Sequence, residues 1–126
     1  MKNASLTIAA LTVVAAAWAT VPSAAQEADA ASGERLFRQR CGACHQIATT
    51  RNGAGPHLQG VVGRAAGSIE GFNYSPALRD SGITWTLETL DTYLANPTAM
   101  VRGTRMAQRF NNADERRTII DFLSSH

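Results

Sequence analysis

The segment Cys41-Gly42-Ala43-Cys44-His45 contains the residues with the most distinctive chemistry in this chain. Cys41 and Cys44 are the only two cysteines, and His45 directly follows the second one. Two thiols at this spacing can add to the two vinyl groups of a haem, and the histidine can supply an axial ligand to the iron. The pattern therefore predicts a covalently attached haem.

Three other interpretations of the two cysteines stay open at this point. A redox disulfide is typical of chains with alternating strand and helix patterns, which this sequence lacks. A structural zinc ion needs four ligands, so His57 and His126 would have to complete the set from distant positions. Two unreacted buried cysteines are the third possibility, and they would leave His45 without a role.

The amino terminus, residues 1–25, has the pattern of a secretory signal peptide. Lys2 precedes an apolar run over residues 6–21, and small residues at 23–25 would allow cleavage before Gln26. The run is shorter than the roughly 20 residues that a membrane-spanning helix needs, although an uncleaved anchor is the alternative. Haem attachment takes place outside the cytoplasm, so export to a bacterial periplasm agrees with the cysteine pattern.

Length and charge restrict the remaining possibilities. Residues 26–126 are enough for one domain and too few for two. The whole chain has 12 Lys and Arg against 10 Asp and Glu, a formal net charge of +2. Two ionised haem propionates would bring this close to neutrality. The balance excludes a strongly basic protein that binds nucleic acid.

Helix caps and apolar spacing predict an all-α fold with long loops. Residues 49–71 are rich in glycine and polar residues and lack a lasting periodicity, which is typical of a loop. No convincing pair of strands is present. The four predicted helices are residues 30–40 with Asp29 as N-cap, a short helix at Pro76 capped by Ser75, residues 87–95 capped by Thr86 and ended by Asn96-Pro97, and a last helix after Asn112.

Few residues are candidates for a second axial ligand to the iron. Residues 26–126 offer the thioethers of Met100 and Met106 and the imidazoles of His57 and His126. Met106 is favoured because it lies in a turn-rich segment between helices, whereas Met100 is equally explained by ordinary packing. Ligation by His and Met leaves no open position for a substrate, which indicates electron transfer.

Residues 29–123 resemble the class I cytochromes c, of the soluble mitochondrial and bacterial c2-like type. The resemblance implies a small fold of four to five helices with long loops around one covalently bound haem c. The matching segments, in chain order, are Gly33 with Leu36-Phe37, the haem pentapeptide, Gly55-Pro56-His57-Leu58, Gly63-Arg64, Gly71-Phe72-Asn73-Tyr74, Gly82-Ile83-Thr84-Trp85, Tyr93-Leu94 with Asn96-Pro97, and Gly103-Thr104-Arg105-Met106.

The same resemblance implies a role for each matching residue. Cys41 and Cys44 would form the thioether bonds, and His45 and Met106 would be the axial ligands. Gly33 would lie where the first helix crosses the last. Supporting roles would fall to Pro56, whose carbonyl accepts a hydrogen bond from His45, to Tyr93, whose hydroxyl lies near the Met106 sulfur, to Tyr74 and Trp85 as donors to a buried propionate, and to Arg64 as its counter-ion.

The implied function is that of a monomeric, soluble electron carrier, not an enzyme, which docks redox proteins at an exposed haem edge. Arg40, Arg102 and Arg105, with Arg109, are the basic residues expected to steer an acidic donor or acceptor. No nucleic acid or stable membrane insertion is expected.

Three departures from the family pattern concern residues 102–110, here called the Met106 segment. Arg102 stands where proline is frequent, Gln108 stands where many members have an aromatic residue, and the segment leading to the last helix is about one residue short. Phe110 is expected to replace the missing aromatic. A labile Met106 would instead favour a gas-binding sensor or a weak peroxidase, and a third alternative is the haem subunit of a larger oxidoreductase complex.

Overall fold

The computed structural model describes residues 23–126, which contain five α-helices and a single isolated β-bridge between Ala65 and Thr84. The prediction of an all-α fold with four to five helices is confirmed. Residues 1–22 of the predicted signal peptide lie outside the residues that the structure describes. The helices are α1 (Ala24–Arg40), α2 (Pro76–Arg79), α3 (Leu87–Ala95), α4 (Pro97–Met100) and α5 (Ala113–Ser124).

Helix α1 begins earlier than the sequence predicts. Its N-cap is Ser23, and Asp29, the predicted cap, lies inside the helix. The backbone N–H of Ser23 donates to Oε1 of Gln26 at 3.0 Å. The residues that follow are mostly alanine and other good helix formers, so no helix-breaking residue forces a later start. Residues 23–31 are exposed, and only the second half of α1 contributes to the core.

Helices α1 and α5 cross at Gly33, where a side chain would not fit. A Cβ on Gly33 would lie 2.7 Å from the Cβ of Phe122 and 3.2 Å from the carbonyl oxygen of Thr118. One turn further along, the rings of Phe37 and Phe122 pack with their centroids 5.5 Å apart. The absence of a side chain therefore permits the close approach that the resemblance implied.

Helices α3 and α4 are joined through Asn96. The Asn96-Pro97 pair ends α3, as the sequence predicts, but it also begins α4, which the sequence analysis missed. The Asn96 side chain accepts a hydrogen bond from the N–H of Ala99 at 3.3 Å, and Pro97 occupies the first helical position. Four residues are too few to show an apolar periodicity, so this helix leaves no pattern in the sequence.

No helix among residues 23–126 has both the length and the apolar character that crossing a membrane would require.

The crossing at Gly33 gives a first prediction. Replacing Gly33 with valine should lower the free energy of unfolding by about 1–3 kcal/mol, because the new side chain overlaps Phe122 and forces the helices apart. Chemical denaturation of the purified protein measures this change. Ala31→Val is the control on an exposed position of the same helix. Equal losses in the two variants would show that α1 and α5 are not in tight contact.

Candidate haem site

A cavity of about 600 Å³ lies between the long loops and helices α3 and α5. This volume is within the range of about 300–1,000 Å³ that is usual for cofactor and ligand pockets. Met100, His57 and His126, the other candidates for an axial ligand, do not line it. All nine residues that the sequence analysis singled out for the haem do line it: Cys41, Cys44, His45, Pro56, Arg64, Tyr74, Trp85, Tyr93 and Met106.

The end of α1 brings both cysteines to the cavity wall. Cys41 is the C-cap residue, and the chain continues in a tight turn in which the N–H groups of Cys44 and His45 donate to the Cys41 carbonyl at 3.1 and 3.0 Å. Within residues 23–126, no disulfide joins the two cysteines. Burial raises the pKa of the Cys41 thiol to about 11, although the guanidinium of Arg40 opposes the shift. A thiol held neutral in this way lacks the lowered pKa of a disulfide-exchange nucleophile.

The His45 ring is held in one orientation by a hydrogen bond to the backbone carbonyl of Pro56. Nδ1 is 2.7 Å from the carbonyl oxygen of Pro56, and a carbonyl can only accept, so Nδ1 carries the proton. Nε2 therefore has the free lone pair that a metal ligand needs. Burial lowers the pKa of His45, which favours this neutral form. No side chain would fit at Gly55, because a Cβ at this position would lie 2.6 Å from Nδ1 of His45.

The Tyr93 hydroxyl makes its hydrogen bond with Oγ1 of Thr104, at 2.6 Å. The sequence analysis placed this hydroxyl near the sulfur of Met106 and did not single out Thr104. Burial raises the pKa of Tyr93, so the hydroxyl keeps its proton. Thr104 lies two residues before Met106, which means that the bond fixes the position of the Met106 segment relative to α3. The hydroxyl of Thr104, two residues before the candidate ligand Met106, is the sequence feature that could have indicated its bond to Tyr93.

Polar groups collect around Arg64. This half-buried side chain donates to the carbonyl oxygens of His57 and Gln59 at 2.9 and 3.1 Å. The phenol of Tyr74 also lines the cavity, and burial raises its pKa. The indole of Trp85 packs against Tyr93 with ring centroids 4.9 Å apart. A guanidinium, a phenol and an indole N–H together suit an anionic group, such as a carboxylate, at the edge of an apolar ligand.

Phe110 is the aromatic residue of the Met106 segment, as the sequence analysis expected. Its side chain lines the cavity and is only 1% exposed. The guanidinium carbon Cζ of Arg40 lies 5.3 Å from the centroid of the Phe110 ring. Gln108 also lines the cavity but is an exposed residue. Phe110 therefore supplies apolar surface that Gln108 cannot.

Comparison with known proteins identifies the family. The family model for cytochrome c matches residues 30–126. The chain belongs to the cytochrome c family. A cytochrome c2 from Rhodomicrobium vannielii is 44% identical over 117 residues, which cover 91% of this chain and 93% of that protein. Cytochrome c type-1 from Ascaris suum is 41% identical over 98 residues, 77% of this chain and 88% of the relative.

A solved structure supports the same assignment. Cytochrome cH from Methylobacterium extorquens matches with a TM-score of 0.72 and 40% sequence identity, over 78% of this chain and 99% of that one. Cytochromes c are electron-transfer proteins that carry one covalently bound haem c. The predictions of a class I cytochrome c, of its cofactor and of electron transfer instead of enzymatic catalysis are confirmed. One covalently bound haem c accounts for the Cys41-Cys44-His45 pattern without a disulfide or a zinc ion.

The residues of this cytochrome c fit a haem chemically. Two thiols and one imidazole lie within five residues of the chain and on one cavity, and the cavity wall is mainly apolar. Among the described residues, no group of three or more His, Cys, Asp or Glu side chains could hold a metal ion without such a cofactor. The apolar wall, the two thiols and the imidazole suit iron that arrives within a haem.

The contact between Gly55 and His45 gives a second prediction. Gly55→Ala should displace the imidazole, which would lower the yield of haem-containing protein and reduce stability by about 1–3 kcal/mol. It should also shift the reduction potential, because the iron ligand changes orientation. Gly60→Ala is a control in the same loop, since its Cβ meets no atom within 4 Å and only its φ of 66° is unfavourable. A wild-type potential in Gly55→Ala would contradict the proposed orientation of His45.

Proposed function

We propose that this protein is a periplasmic one-electron carrier whose haem is bound through Cys41 and Cys44 and ligated by His45 and Met106. The observation that supports the proposal is that all four side chains line one cavity, whereas Met100, His57 and His126 lie elsewhere. The signal-peptide pattern of residues 1–25 supports export. The match to a bacterial cytochrome c2 agrees with this location.

The surrounding residues hold the ligands and exclude water. Bound haem supplies an iron centre that alternates between the ferrous and ferric states. The Pro56 carbonyl accepts a hydrogen bond from Nδ1 of His45, which would leave Nε2 available to ligate the iron. Thr104, held by Tyr93, positions the Met106 segment. The apolar wall would keep solvent from a bound haem, which limits the rearrangement that accompanies electron transfer.

The proposed Met106 ligand gives a third prediction. Met106→Ala should abolish the absorption band of the ferric iron–thioether bond and lower the reduction potential, because the thioether stabilises ferrous iron. Met100→Ala is the matched control, since Met100 packs against the core without lining the cavity. Absorption spectroscopy and redox titration measure both effects. Loss of the band in Met100→Ala, with the band retained in Met106→Ala, would reverse the assignment.

The arginines proposed for partner docking differ in how they are held. Arg40 is paired with Glu115 at 2.9 Å, and Arg105 donates to the Asn73 carbonyl at 2.6 Å. Arg102 is exposed, and its side chain enters no ion pair within residues 23–126. Its charge is therefore more available for an acidic partner than the charge of Arg40. We infer that Arg102 contributes more to docking than Arg40 does.

Docking through exposed charge gives a fourth prediction. The rate of electron transfer to an acidic partner protein should fall as ionic strength rises, because salt screens long-range attraction. At low salt, Arg102→Ala should slow the reaction about two- to threefold, a small part of the roughly 10- to 1,000-fold that a whole charged surface can provide. Arg35→Ala removes the same charge from α1, away from the cavity, and should change the rate less. A rate independent of salt would refute the steering.

A further inference from the structure

The Met106 segment is fixed on the side that precedes the methionine. Nη1 of Arg105 donates to the carbonyl oxygen of Asn73 at 2.6 Å, across 32 residues of sequence. The N–H of Thr104 donates to the carbonyl of Val101 at 3.1 Å. Gly103 has a φ of 94°, a left-handed conformation that suits glycine and turns the chain back towards the cavity. The Arg105 bond attaches this side of the segment to the loop that carries Asn73, and the other two features fix the local turn.

The segment is also fixed on the side that follows the methionine. The N–H of Phe110 donates to the carbonyl of Leu94 in α3 at 2.9 Å. The Phe110 carbonyl accepts a bond from Nη1 of Arg116 at 2.8 Å, and Nε of the same arginine is 2.7 Å from Oδ1 of Asp91. Arg116 thus joins α5, α3 and the Met106 segment. Its side chain is only 13% exposed, so water competes little with these bonds.

Only residues 106–109 lie between these two fixed points. Displacement of Met106 from the iron requires the segment to move outward, and a stretch this short cannot move far while both ends are held. The two unusual residues of the segment, Arg102 and Gln108, are exposed and contribute to neither attachment. They therefore do not decide whether the segment opens.

We propose that Arg105 and Arg116 are positioning residues that hold the Met106 segment closed, through Asn73 and Phe110, and so set how readily an external ligand displaces Met106. This role rests on the proposed ligation by Met106. Arg105 consequently has an internal function and is not simply one of the docking charges.

Titration with imidazole tests the role of Arg105. Imidazole binds the ferric iron only after Met106 has left, so its apparent affinity increases with the fraction of protein in which the segment is open. Arg105→Ala in the purified haem protein should lower the apparent Kd for imidazole about three- to tenfold, because a charged hydrogen bond to a carbonyl is lost. The measurement follows the disappearance of the iron–thioether absorption band.

Arg102→Ala is the matched control for this variant. It removes one positive charge from the same segment but breaks no attachment, so the imidazole affinity should equal that of the wild type. Its effect should appear instead in the reaction with an acidic partner.

A second pair of variants tests the role of Arg116. Arg116→Lys keeps the charge, but lysine lacks the planar fork that bonds Asp91 and the Phe110 carbonyl together. Its apparent Kd for imidazole should therefore also fall. Arg117→Lys is the control on the same helix, because Arg117 pairs only with the exposed Asp114. Thermal denaturation of each variant separates opening of the segment from loss of the whole fold.

The outcomes distinguish this role from the proposed ligation. If Arg105→Ala and Arg116→Lys bind imidazole no better than their controls, while the wild type shows the iron–thioether band, the positioning role is wrong and the ligation stands. If the wild type lacks the band, ligation by Met106 fails and the positioning role fails with it. Stronger imidazole binding in Arg105→Ala and Arg116→Lys alone supports the role.

Discussion

The apolar cavity of about 600 Å³ is the feature on which the rest of the structure depends. Without a bound group, the apolar side chains that line this space would face water, and burial of apolar surface stabilises a protein by about 25 cal/mol per Å². Domains of this size are stable by only about 5–15 kcal/mol in total. A haem in the cavity would complete the core of the five helices, and the residues proposed to bind it would then also stabilise the fold.

This dependence explains why the ligand residues are held by backbone contacts. The Pro56 carbonyl orients the ring of His45, and the Leu94 carbonyl holds Phe110, which follows Met106 in the chain. Backbone groups of packed segments move less than long exposed side chains, so these contacts would keep the surroundings of a bound haem nearly constant during electron transfer. Arg102 is exposed and makes none of those contacts, so the docking role proposed for it would leave them undisturbed.

The sequence predicted the parts of this site that depend on local patterns. Cys41, Cys44 and His45 were recognised from their spacing, and Met106 was favoured from its turn-rich segment before the structure placed it at the cavity. The start of α1 at Ser23 was missed because alanine-rich residues leave the boundary undefined. The bond between Tyr93 and Thr104, and the engagement of Arg105 by Asn73, join residues that are distant in sequence, and no local pattern encodes such pairings.

Intact-mass measurement of the denatured, exported protein tests the central claim most directly, because only a covalent haem survives denaturation on the polypeptide. The account predicts one species whose mass is that of a single polypeptide plus one haem. A folded protein with the mass of the bare polypeptide would contradict it. So would a mass lower by two hydrogens, which would indicate a disulfide between Cys41 and Cys44.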